Sequence, residues 1–575
     1  MSLIDKIEDI SNFIFEQYGI IKDFPEKKKL FIHDNVFGTL SFTSFERKVI
    51  ATPYLQRLTG ICQMGLANFV YPGAVHNRFS HSLGVSYIAE KIYRNIISEC
   101  PDRKNKIDCD VNTLKLAGLV HDIGHGPFSH ISEEVINALS YLKCINSVDA
   151  EICAGSSSGL KRTRKNYHEF LGYHLLKSEK VKSLLNEIYK DIPIDLELVP
   201  LCITGNSLPF KGDNGEYSIK FKDKYKTLLI NVINSYSDAD KIDYLLRDSK
   251  FSGLPLPADI ERLLSFFTII EENGKYELGV SEKGTRAFNL LLISKAKMFP
   301  TVYHHHTTLA CESLLIFGIV DAIRNVQEIY SNSKLDKKIW PPIECGTDLL
   351  YYTDKSLLEY LRIIKNPISN DVIKRLGNRR HYRIIRRFYT WELQGKLIMN
   401  QINFIKKLKN ENQYSELEDL WNKNKKQTYN IRLEEKYDDY KADEQKKIDH
   451  LYDDFEDYEK LLKFKQDLLS KEPNVLEKLK RDLPGVEEEV LTDYVIKVRI
   501  GGRREVTEEY RQPYIKVKDV FSNKTHNLPL KAMGYSIPNS LDYQQIIFFC
   551  LPEFVESLTP HFDKFIEDHL DIKFS

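Results

Sequence analysis

Three short segments, far apart in the chain, combine histidines and acids in a pattern that predicts a metal site. They are HNRFSHSLGV at 76–85, HDIGHGPFSH at 121–130 and DADKIDYLLRD at 238–248. Each lies in sequence with helical periodicity or at a predicted helix end. The segments supply His81, the adjacent pair His121 and Asp122, and the distant acid Asp240. We expect these four side chains to bind one divalent ion, since imidazole and carboxylate ligands suit Mn, Fe, Mg, Co or Zn.

The His121–Asp122 pair is weak evidence when it is taken alone. Side chains of adjacent helical residues project about 100° apart, so both reach one ion only if the helix ends there. Gly124 permits such an end. A single buried histidine is more often a core residue than a ligand. The joint occurrence of this pair with His81 and Asp240 therefore carries the prediction.

The neighbours of the predicted ligands indicate phosphate-ester hydrolysis. A bound metal lowers the pKa of water and polarises a phosphoryl oxygen. Arg78 lies one helical turn before His81, and Lys241 follows Asp240, so both are candidates to bind phosphate oxygens. Surface ion pairing is the alternative interpretation of these two cations.

Further histidines in the same region are candidates for proton transfer. His125 and His130 titrate near neutral pH when unperturbed, which suits protonation of a leaving oxygen. Glu133 and His168 are candidates to orient or recharge that donor. For His168 a surface position is an almost equally good explanation.

Composition favours a globular chain with an anionic small-molecule ligand. Of 575 residues, 42% are hydrophobic, which supports a large core, while Lys plus Arg and Asp plus Glu both number 82. This balance gives no bulk positive field for wrapping nucleic acid. The nine cysteines form no CxxC pair and indicate reduced thiols. No segment reaches the roughly 20 apolar residues of a membrane span, and we expect a cytoplasmic protein.

Hydrophobic periodicity predicts a mainly α fold with small β elements, followed by a charged helical arm and a small α+β C-terminal module. We expect an N-terminal helix and lead-in at 1–40, a helical core at 41–330, its helical extension at 331–400, the arm at 401–480 and the module at 481–575.

Some local expectations are more specific. The Ser/Gly and Lys/Arg run at 149–166 predicts a mobile surface loop. Segments near 217–222 and 276–280 predict the strands of a small hairpin. DYVIKVRIGG and PYIKVKDVF alternate apolar and polar residues, which predicts strands around a Gly-Gly turn.

The three segments, in this order, resemble the HD-domain superfamily of metal-dependent phosphohydrolases. The branch with the animal SAM-and-HD-domain dNTP triphosphohydrolase and its bacterial relatives is the more similar. The resemblance also covers IHDNVFGTLSFTSFERKVIATPYLQRL, CQMGLANFVYPGAVHNRFSHSLGV, YHEF, DADKIDYLLRDSKFSGLP, VYHHH and LLEYLRIIKN. It extends over roughly two thirds of the chain, to about residue 390.

The resemblance implies a role for each matched position. The metal ligands would be His81, His121, Asp122 and Asp240, and the phosphate contacts Arg78 and Lys241. The active-site histidines would be His125, His130 and His168, with His130 as general acid and Glu133 as its acidic partner. The positions around sugar and base would be Gln63, Met64, Tyr244, Asp248 and Tyr303, where a tyrosine helps to reject a 2′-hydroxyl. The implied reaction converts a dNTP and water to a deoxynucleoside and triphosphate.

The sequence departs from the family at its regulatory nucleotide site. The animal motif that reads a guanine activator is replaced by Ala51, Gln56 and Thr59, and His33 stands where the family has Asn. Asp34 and Arg262 match the family, so a different activating nucleotide at subunit contacts stays compatible with the sequence. Lys295 is only a rough counterpart of a family arginine. The family assembles its nucleotide sites between subunits, which implies a dimer or tetramer.

The sequence is compatible with three functions. The first is a dNTP triphosphohydrolase that requires neither nucleic acid nor a membrane and that acts in antiviral or antiphage dNTP depletion. The second is an HD nucleotidase or phosphodiesterase that acts on another nucleotide. The third is a nucleotide-binding sensor whose metal site is vestigial. Arg78 together with Lys241 favours the triphosphate substrate.

Overall fold

The computed structural model divides the chain into two compact units. The first comprises Met1–Asn378 with Arg511–Ile537, and the second comprises Arg379–Tyr510 with Pro538–Ser575. The residues that the structure describes are 2–18, 29–98, 100–142, 147–154, 167–205, 219–235, 237–256, 260–272, 274–332, 335–389, 458–501, 514–518, 525–529 and 545–570. The five-part domain division made from the sequence stays a prediction.

The described part is mainly helical, which confirms the predicted fold class. The α-helices are α1 Leu3–Tyr18, α2 Ser44–Ile50, α3 Pro53–Arg57, α4 Arg78–Ile97, α5 Ile107–Val120, α6 His130–Tyr141, α7 Ser147–Ala154, α8 Tyr167–Lys177, α9 Glu179–Ile188, α10 Val199–Ile203, α11 Tyr225–Ile233, α12 Ala239–Ser252, α13 Ile260–Phe266, α14 Thr285–Met298, α15 His306–Arg324, α16 Val326–Asn332, α17 Asp354–Ile363, α18 Pro367–Gly377, α19 Tyr458–Ser470, α20 Pro473–Asp482, α21 Glu488–Val495 and α22 Val555–Leu570.

The strands form small sheets. They are β1 Leu30–Asp34, β2 Gly38–Phe42, β3 Phe267–Glu272, β4 Lys275–Ser281, β5 Arg383–Tyr389, β6 Ile496–Gly501, β7 Tyr514–Lys518, β8 Thr525–Pro529 and β9 Gln545–Cys550. The first unit holds the antiparallel hairpin β1–β2 and a sheet of order β3-β4-β7-β8. The second unit holds a sheet of order β5-β9-β6.

The predicted hairpin between 217–222 and 276–280 is wrong. Residues 219–222 form no strand, and β4 instead pairs in antiparallel register with β3, so that Phe267 faces Val280. Gly274 has φ +72°, which only glycine adopts freely, and it allows the tight connection between these strands. Proximity in sequence therefore selected β3 as the partner.

Two other local expectations also change. Part of the predicted loop at 149–166 is helical, because α7 continues to Ala154, while 155–166 lie outside the described residues. Asp149 is fully buried and accepts hydrogen bonds from the backbone of Gly346 and Thr347. β6 and β7 form where strands were predicted, but they belong to different sheets. The charged arm lies mostly outside the described residues, at 390–457.

Helices α4, α5 and α12 make the core that positions the predicted ligands. A Cβ atom on Gly118 of α5 would lie 2.7 Å from the Cα atom of Ser86, so α4 and α5 approach each other closely. A Cβ atom on Gly84 would lie 1.8 Å from Asp243 Oδ1, so α12 packs directly on α4 at that glycine. Both contacts lie near the ends of these helices that carry the predicted ligands.

Among the described helices, α15 is long and apolar enough to cross a membrane by length and composition. Of its most apolar window, 83% is buried inside the protein, as is usual for the core helix of a globular domain.

Candidate active site

Helix ends bring the predicted metal ligands to one place. Asn77 caps α4 by accepting a hydrogen bond from Ser80 N, which fixes the first turn that carries His81. His121 is the C-cap residue directly after α5, and Asp122 follows it in the same turn. Asp238 caps α12 in the same way, and Asp240 lies in the first turn of that helix.

We call His81, His121, Asp122 and Asp240 the histidine–aspartate cluster. His81 Nε2 lies 3.2 Å from His121 Nε2 and 2.9 Å from Asp240 Oδ1. Asp122 places Oδ2 at 3.6 Å from His81 Nε2 and Oδ1 at 3.3 Å from His121 Nε2. Ligand atoms around an ion with bonds of about 2.0–2.2 Å lie roughly 3–3.5 Å apart. Ligand atoms of His81, His121 and Asp122 thus all lie within 4.8 Å of one another, as one metal ion requires. Asp240 Oδ1 adjoins the two histidines of this group, at 2.9 Å and 3.7 Å.

The orientation of the two imidazoles also fits a metal. His81 Nδ1 donates to Asp243 Oδ2 at 2.6 Å, and His121 Nδ1 donates to Gly118 O at 2.8 Å. In the neutral rings, both Nε2 atoms then carry lone pairs that face each other. Two facing lone pairs repel unless a proton or a metal ion lies between them. The donor set of two nitrogens and two carboxylates suits the divalent ions that were predicted.

The electrostatics of the histidine–aspartate cluster stabilise a positive charge among its side chains. Burial opposes protonation of His81, yet hydrogen bonds to Asp240 and Asp243 raise its pKa to about 10. Burial raises the pKa of Asp240, but the hydrogen bonds from His121 and His81 outweigh burial and hold this pKa well below the usual range. The pKa of Asp122 is also held well below its usual range, because the Arg78 guanidinium and the neighbouring histidines outweigh the effect of burial. The carboxylates thus stay ionised and attract a cation.

Arg78 connects this cluster to a strained turn. Its Nη1 atom lies 2.7 Å from Asp122 Oδ2, and its Nε donates to Ser129 Oγ at 2.7 Å. Ser129 and Phe128 have φ values of 58° and 55°, which non-glycine residues rarely adopt. Ser129 Oγ also donates to Cys62 O at 2.5 Å, and Phe128 N donates to Asp354 Oδ1 at 2.6 Å. These bonds hold a backbone shape that costs on the order of 1–3 kcal/mol per residue.

A second group, which we call the histidine–glutamate cluster, comprises His125, His130, Glu133 and His168. Glu133 Oε1 accepts a hydrogen bond from His168 Nδ1 at 2.6 Å and lies 3.3 Å from His130 Nδ1. His125 stacks on His168 with ring centroids 3.8 Å apart. The His130 side chain is 65% exposed, whereas that of His125 is 1% exposed. Only His130 is therefore placed to meet a substrate that enters from solvent.

Electrostatics gives the members of this cluster different charges. Burial and the positive charge of Arg78 hold the pKa of His125 well below its ordinary value, so its ring is neutral. Burial lowers the pKa of His168, but the negative charge of Glu133 and their hydrogen bond raise it above the ordinary value. The pKa of Glu133 is lowered, because its histidine neighbours outweigh the effect of burial. Glu133 and His168 thus form a charged pair beside His130.

Three of the residues predicted to surround sugar and base, Tyr244, Asp248 and Tyr303, lie on two structural elements. Asp240, Tyr244 and Asp248 follow each other at intervals of four on α12 and share one face of it. Asp248 Oδ2 accepts a hydrogen bond from the Tyr303 hydroxyl at 2.6 Å, and Oδ1 lies 2.7 Å from His76 Nε2. Tyr303 ends a single π-helical turn, Phe299–Tyr303, a feature that is frequent at functional sites.

The other predicted substrate residues are placed in different ways. Gln63 and Met64 are both buried, and Gln63 N donates to His76 O. Among the described residues, Gln63 Oε1 has no hydrogen-bond partner. Lys241 Nζ lies 2.8 Å from Asp238 Oδ2, so its ammonium group pairs with the cap of its own helix. Its predicted phosphate contact stays a prediction.

The sequence interpretation assigned no role to three acids, of which Asp243 and Asp354 are buried and Glu169 is half-buried. Asp243 orients His81, Asp354 holds the turn at Phe128, and Glu169 accepts a hydrogen bond from Asn234 at 3.3 Å. Burial and the nearby Asp240 raise the pKa of Glu169, although His168 and Lys241 oppose the shift. The spacing of three residues between Asp240 and Asp243 is a signal that could have identified the second of these acids. Nothing local in the sequence marks Asp354.

Comparison with known families accounts for this arrangement. The HD domain family matches residues 78–193, and the HD associated region matches residues 258–411. The deoxynucleoside triphosphate triphosphohydrolase SAMHD1 of Bos taurus is 26% identical over 362 residues, which is 62% of this chain and 58% of the relative. An uncharacterised protein of Methanocaldococcus jannaschii, MJ1154, is 28% identical over 345 residues, 60% of this chain and 57% of its own.

A putative HD domain-containing protein of Acanthamoeba polyphaga mimivirus, L394, is 28% identical over 346 residues. That alignment covers 58% of this chain and 64% of the relative. The chain thus spans roughly three fifths of the length of these relatives. The matched HD domain contains Arg78, His81, His121 and Asp122, whose geometry is described above. The chain therefore contains an HD domain and an HD associated region, and over about three fifths of its length it is similar to relatives that include SAMHD1.

Proposed function

We propose that this protein is a metal-dependent dNTP triphosphohydrolase, which converts a dNTP and water to a deoxynucleoside and inorganic triphosphate. One observation carries the proposal. The histidine–aspartate cluster and the histidine–glutamate cluster meet at His125, whose Nε2 lies 3.4 Å from Asp122 Oδ1 and whose Nδ1 lies 3.7 Å from Glu133 Oε1. A cation-binding group and a proton donor thus adjoin, as cleavage of a phosphate ester requires.

His81, His121, Asp122 and Asp240 would hold the divalent ion. When bound, such an ion polarises the phosphoryl oxygens and lowers the pKa of water. Arg78 provides a fixed positive charge at 2.7 Å from Asp122, and it is oriented to neutralise a phosphate that approaches this carboxylate. The charged Glu133–His168 pair adjoins His130, which is exposed.

The proposed bond changes follow from this arrangement. The oxygen of water attacks the α-phosphorus, and the bond between that phosphorus and the 5′-oxygen of the sugar breaks. His130 donates a proton to the departing 5′-oxygen, so the products are a deoxynucleoside and triphosphate. The proton lost by water restores His130 through solvent. Glu133 raises the pKa of His168 through its negative charge and a hydrogen bond.

Similarity supports the choice of substrate. The relatives named SAMHD1 are deoxynucleoside triphosphate triphosphohydrolases, and the one of Bos taurus is 26% identical over 362 residues. Tyr244 and Asp248 follow Asp240 on α12, and the Tyr303 hydroxyl donates to Asp248. We place the sugar beside these residues. The oligomer, the activating nucleotide and the role in antiviral dNTP depletion belong to this proposal as well.

The test is incubation of the purified chain with Mn²⁺ and each dNTP, alone and in pairs, with products identified by mass. We expect equimolar deoxynucleoside and triphosphate, at once or only when a second nucleotide is present. Asp122→Ala should abolish turnover. Asp371→Asn is the matched control, because it removes a carboxylate that pairs with Arg375 on α18, outside both clusters. Release of monophosphate or opening of a cyclic nucleotide would instead identify another HD hydrolase.

A further inference from the structure

A chain of buried charges connects the candidate metal centre to the β1–β2 hairpin. His81 Nδ1 donates to Asp243 Oδ2 at 2.6 Å. The Arg247 guanidinium binds both oxygens of Asp243, at 2.8 and 2.9 Å, and its third nitrogen donates to Asp34 Oδ2 at 2.7 Å. Each side chain in this series of charges is therefore hydrogen-bonded to the next.

All four side chains in this series of charges are buried. Their exposed fractions are 0% for His81, 0% for Asp243, 1% for Arg247 and 6% for Asp34. A buried guanidinium is stable only if several acceptors surround it. Arg247 donates to two carboxylates, so a loss of either one leaves part of the buried guanidinium without its acceptor. The geometry of Asp243 therefore depends on Asp34 as well.

The hairpin end of the chain is equally well defined. Asp34 ends β1, and its Oδ1 accepts hydrogen bonds from Val36 N at 2.8 Å and Phe37 N at 3.0 Å. The other carboxylate oxygen of Asp34, Oδ2, accepts the hydrogen bond from Arg247. The Asp34 carboxylate thus binds both the turn of the hairpin and the Arg247 guanidinium. The hairpin turn and Arg247 therefore cannot shift independently of each other.

Gly84 makes room for this arrangement on α4. It lies one turn after His81, and a Cβ atom there would come within 1.8 Å of Asp243 Oδ1 and 2.6 Å of Arg247 Nη2. No side chain fits without moving the ion pair. The glycine of the HNRFSHSLGV segment thus has a structural role that the reaction itself does not require.

We propose that Asp34 and Arg247 are positioning residues for the metal ligand His81. They act through Asp243, which keeps the hydrogen of His81 on Nδ1 and leaves Nε2 free for the ion. Outer partners of ligating histidines commonly change metal affinity by about 10–100-fold when they are removed. The proposal rests on the proposed metal centre but not on the identity of the substrate.

The test measures binding of Mn²⁺ alone to the full chain by calorimetry, together with the visible absorption of the Co²⁺-loaded protein. Arg247→Met and Asp34→Asn should each weaken Mn²⁺ binding by about 10-fold or more and shift the Co²⁺ spectrum. Arg247→Lys should recover part of the affinity, because it restores one charge but not the bidentate fork.

Arg103→Met is the matched control. Arg103 is also buried and binds both oxygens of a buried carboxylate, Asp110, at 2.6 and 2.8 Å. Asp110 lies at the opposite end of α5 from His121, about 16 Å away along the helix axis. This variant should lower the melting temperature as Arg247→Met does, yet keep Mn²⁺ affinity and the Co²⁺ spectrum unchanged.

The outcomes are decisive. If Arg247→Met and Asp34→Asn lose stability but bind Mn²⁺ as the parent chain does, the residues are merely structural and the proposal is wrong. A parent chain that binds no Mn²⁺ would overturn it too. A parent chain that binds Mn²⁺ but hydrolyses no dNTP refutes the proposed function alone, and the ratio of affinities still decides this inference.

Discussion

Asp243 Oδ2 lies 2.6 Å from His81 Nδ1, and both side chains are fully buried. This contact fixes which nitrogen of His81 carries the hydrogen. Asp243→Asn keeps the shape of the side chain, but its amide can present a hydrogen to Nδ1 and thereby move the ring hydrogen to Nε2. We expect Mn²⁺ affinity to fall by about 100-fold, the upper part of the range for such partners.

Calorimetric titration with Mn²⁺ measures this effect. Asp110→Asn is the control, because Asp110 is equally buried and pairs with Arg103 instead of a histidine. Equal Mn²⁺ affinity in Asp243→Asn and the parent chain would refute the assignment of the His81 hydrogen.

Gly84→Ala should damage the metal centre through packing. The added Cβ atom would meet Asp243 Oδ1 at 1.8 Å, so the carboxylate must move away from His81. We expect both a lower melting temperature, by overpacking that typically costs about 1–3 kcal/mol, and weaker Mn²⁺ binding.

Gly377→Ala is the corresponding control. Gly377 ends α18, and nothing lies within 4 Å of a Cβ atom there. Alanine at this helical position should be neutral or stabilising by up to about 1 kcal/mol. A Gly84→Ala variant that behaves like Gly377→Ala in both measurements would contradict the packing described for α4 and α12.

The pattern in the sequence identified the candidate ligands but not the residues that support them. His81, His121, Asp122 and Asp240 stand out because their residue types and helix ends are local properties. Arg247 and Asp34, by contrast, lie 213 positions apart and meet only after α12 packs on the hairpin. A local sequence pattern does not show which residues so far apart in the chain come into contact. The mainly α fold was likewise predictable from periodicity.

The two incorrect local predictions, the hairpin partner of β4 and the loop in place of α7, also arose because contacts distant in sequence are not visible in a local pattern. The strand at 267–272 was missed because FTIIEE is short and follows directly after α13, and the hairpin was consequently assigned to the wrong partner. Helix α7 was missed because its end adjoins a run of Ser and Gly. Asp149 belongs to the core only because Gly346 and Thr347 donate to it from another part of the chain.

Glu133→Gln should change the pH dependence of turnover. Glu133 raises the pKa of His168 through its charge and a hydrogen bond, so the neutral amide lets this pKa fall. If the protonated histidine–glutamate cluster supplies the proton to the leaving group, turnover decreases as pH rises through the pKa of that cluster. We expect this alkaline decrease to begin at lower pH in Glu133→Gln, with Mn²⁺ affinity unchanged.

Profiles of kcat against pH for both proteins measure the shift. His130→Ala should lower kcat by about 10²–10⁴-fold at every pH, as expected for loss of a general acid. A Glu133→Gln profile that only decreases in height, with no movement along the pH axis, would count against the proton-transfer role.

Tyr303→Phe should weaken catalysis without affecting the metal. The hydroxyl donates to Asp248 Oδ2 at 2.6 Å, and a hydrogen bond to a charged group contributes about 1.5–3 kcal/mol. His76 still pairs with the other oxygen of Asp248, so the fold should survive. We expect kcat/KM for a dNTP to fall by about 10–100-fold, the equivalent of that energy. Steady-state kinetics with a dNTP and the matching ribonucleotide will also show whether discrimination decreases.

His174 should make the protein sensitive to acid. Burial lowers its pKa to about 4, against 6.5 for an ordinary histidine. Between these values the unfolded chain binds a proton that the folded chain does not, so stability decreases as pH falls from about 6.5 to 4. Above pH 7 both states are neutral at this residue, and it contributes no pH dependence. The loss amounts to roughly 2–3 kcal/mol at pH 4.5.

His174→Phe removes this titration and keeps a ring beside Phe170, whose centroid lies 4.8 Å from that of His174. Urea unfolding at pH 8 and pH 4.5 measures the effect, and the pH 8 value isolates any change in packing. We expect the difference in stability between the two pH values to be smaller in the variant by roughly 2–3 kcal/mol. An unchanged difference would mean that His174 accepts a proton in the folded chain, because only then does its protonation leave the folding equilibrium unaltered.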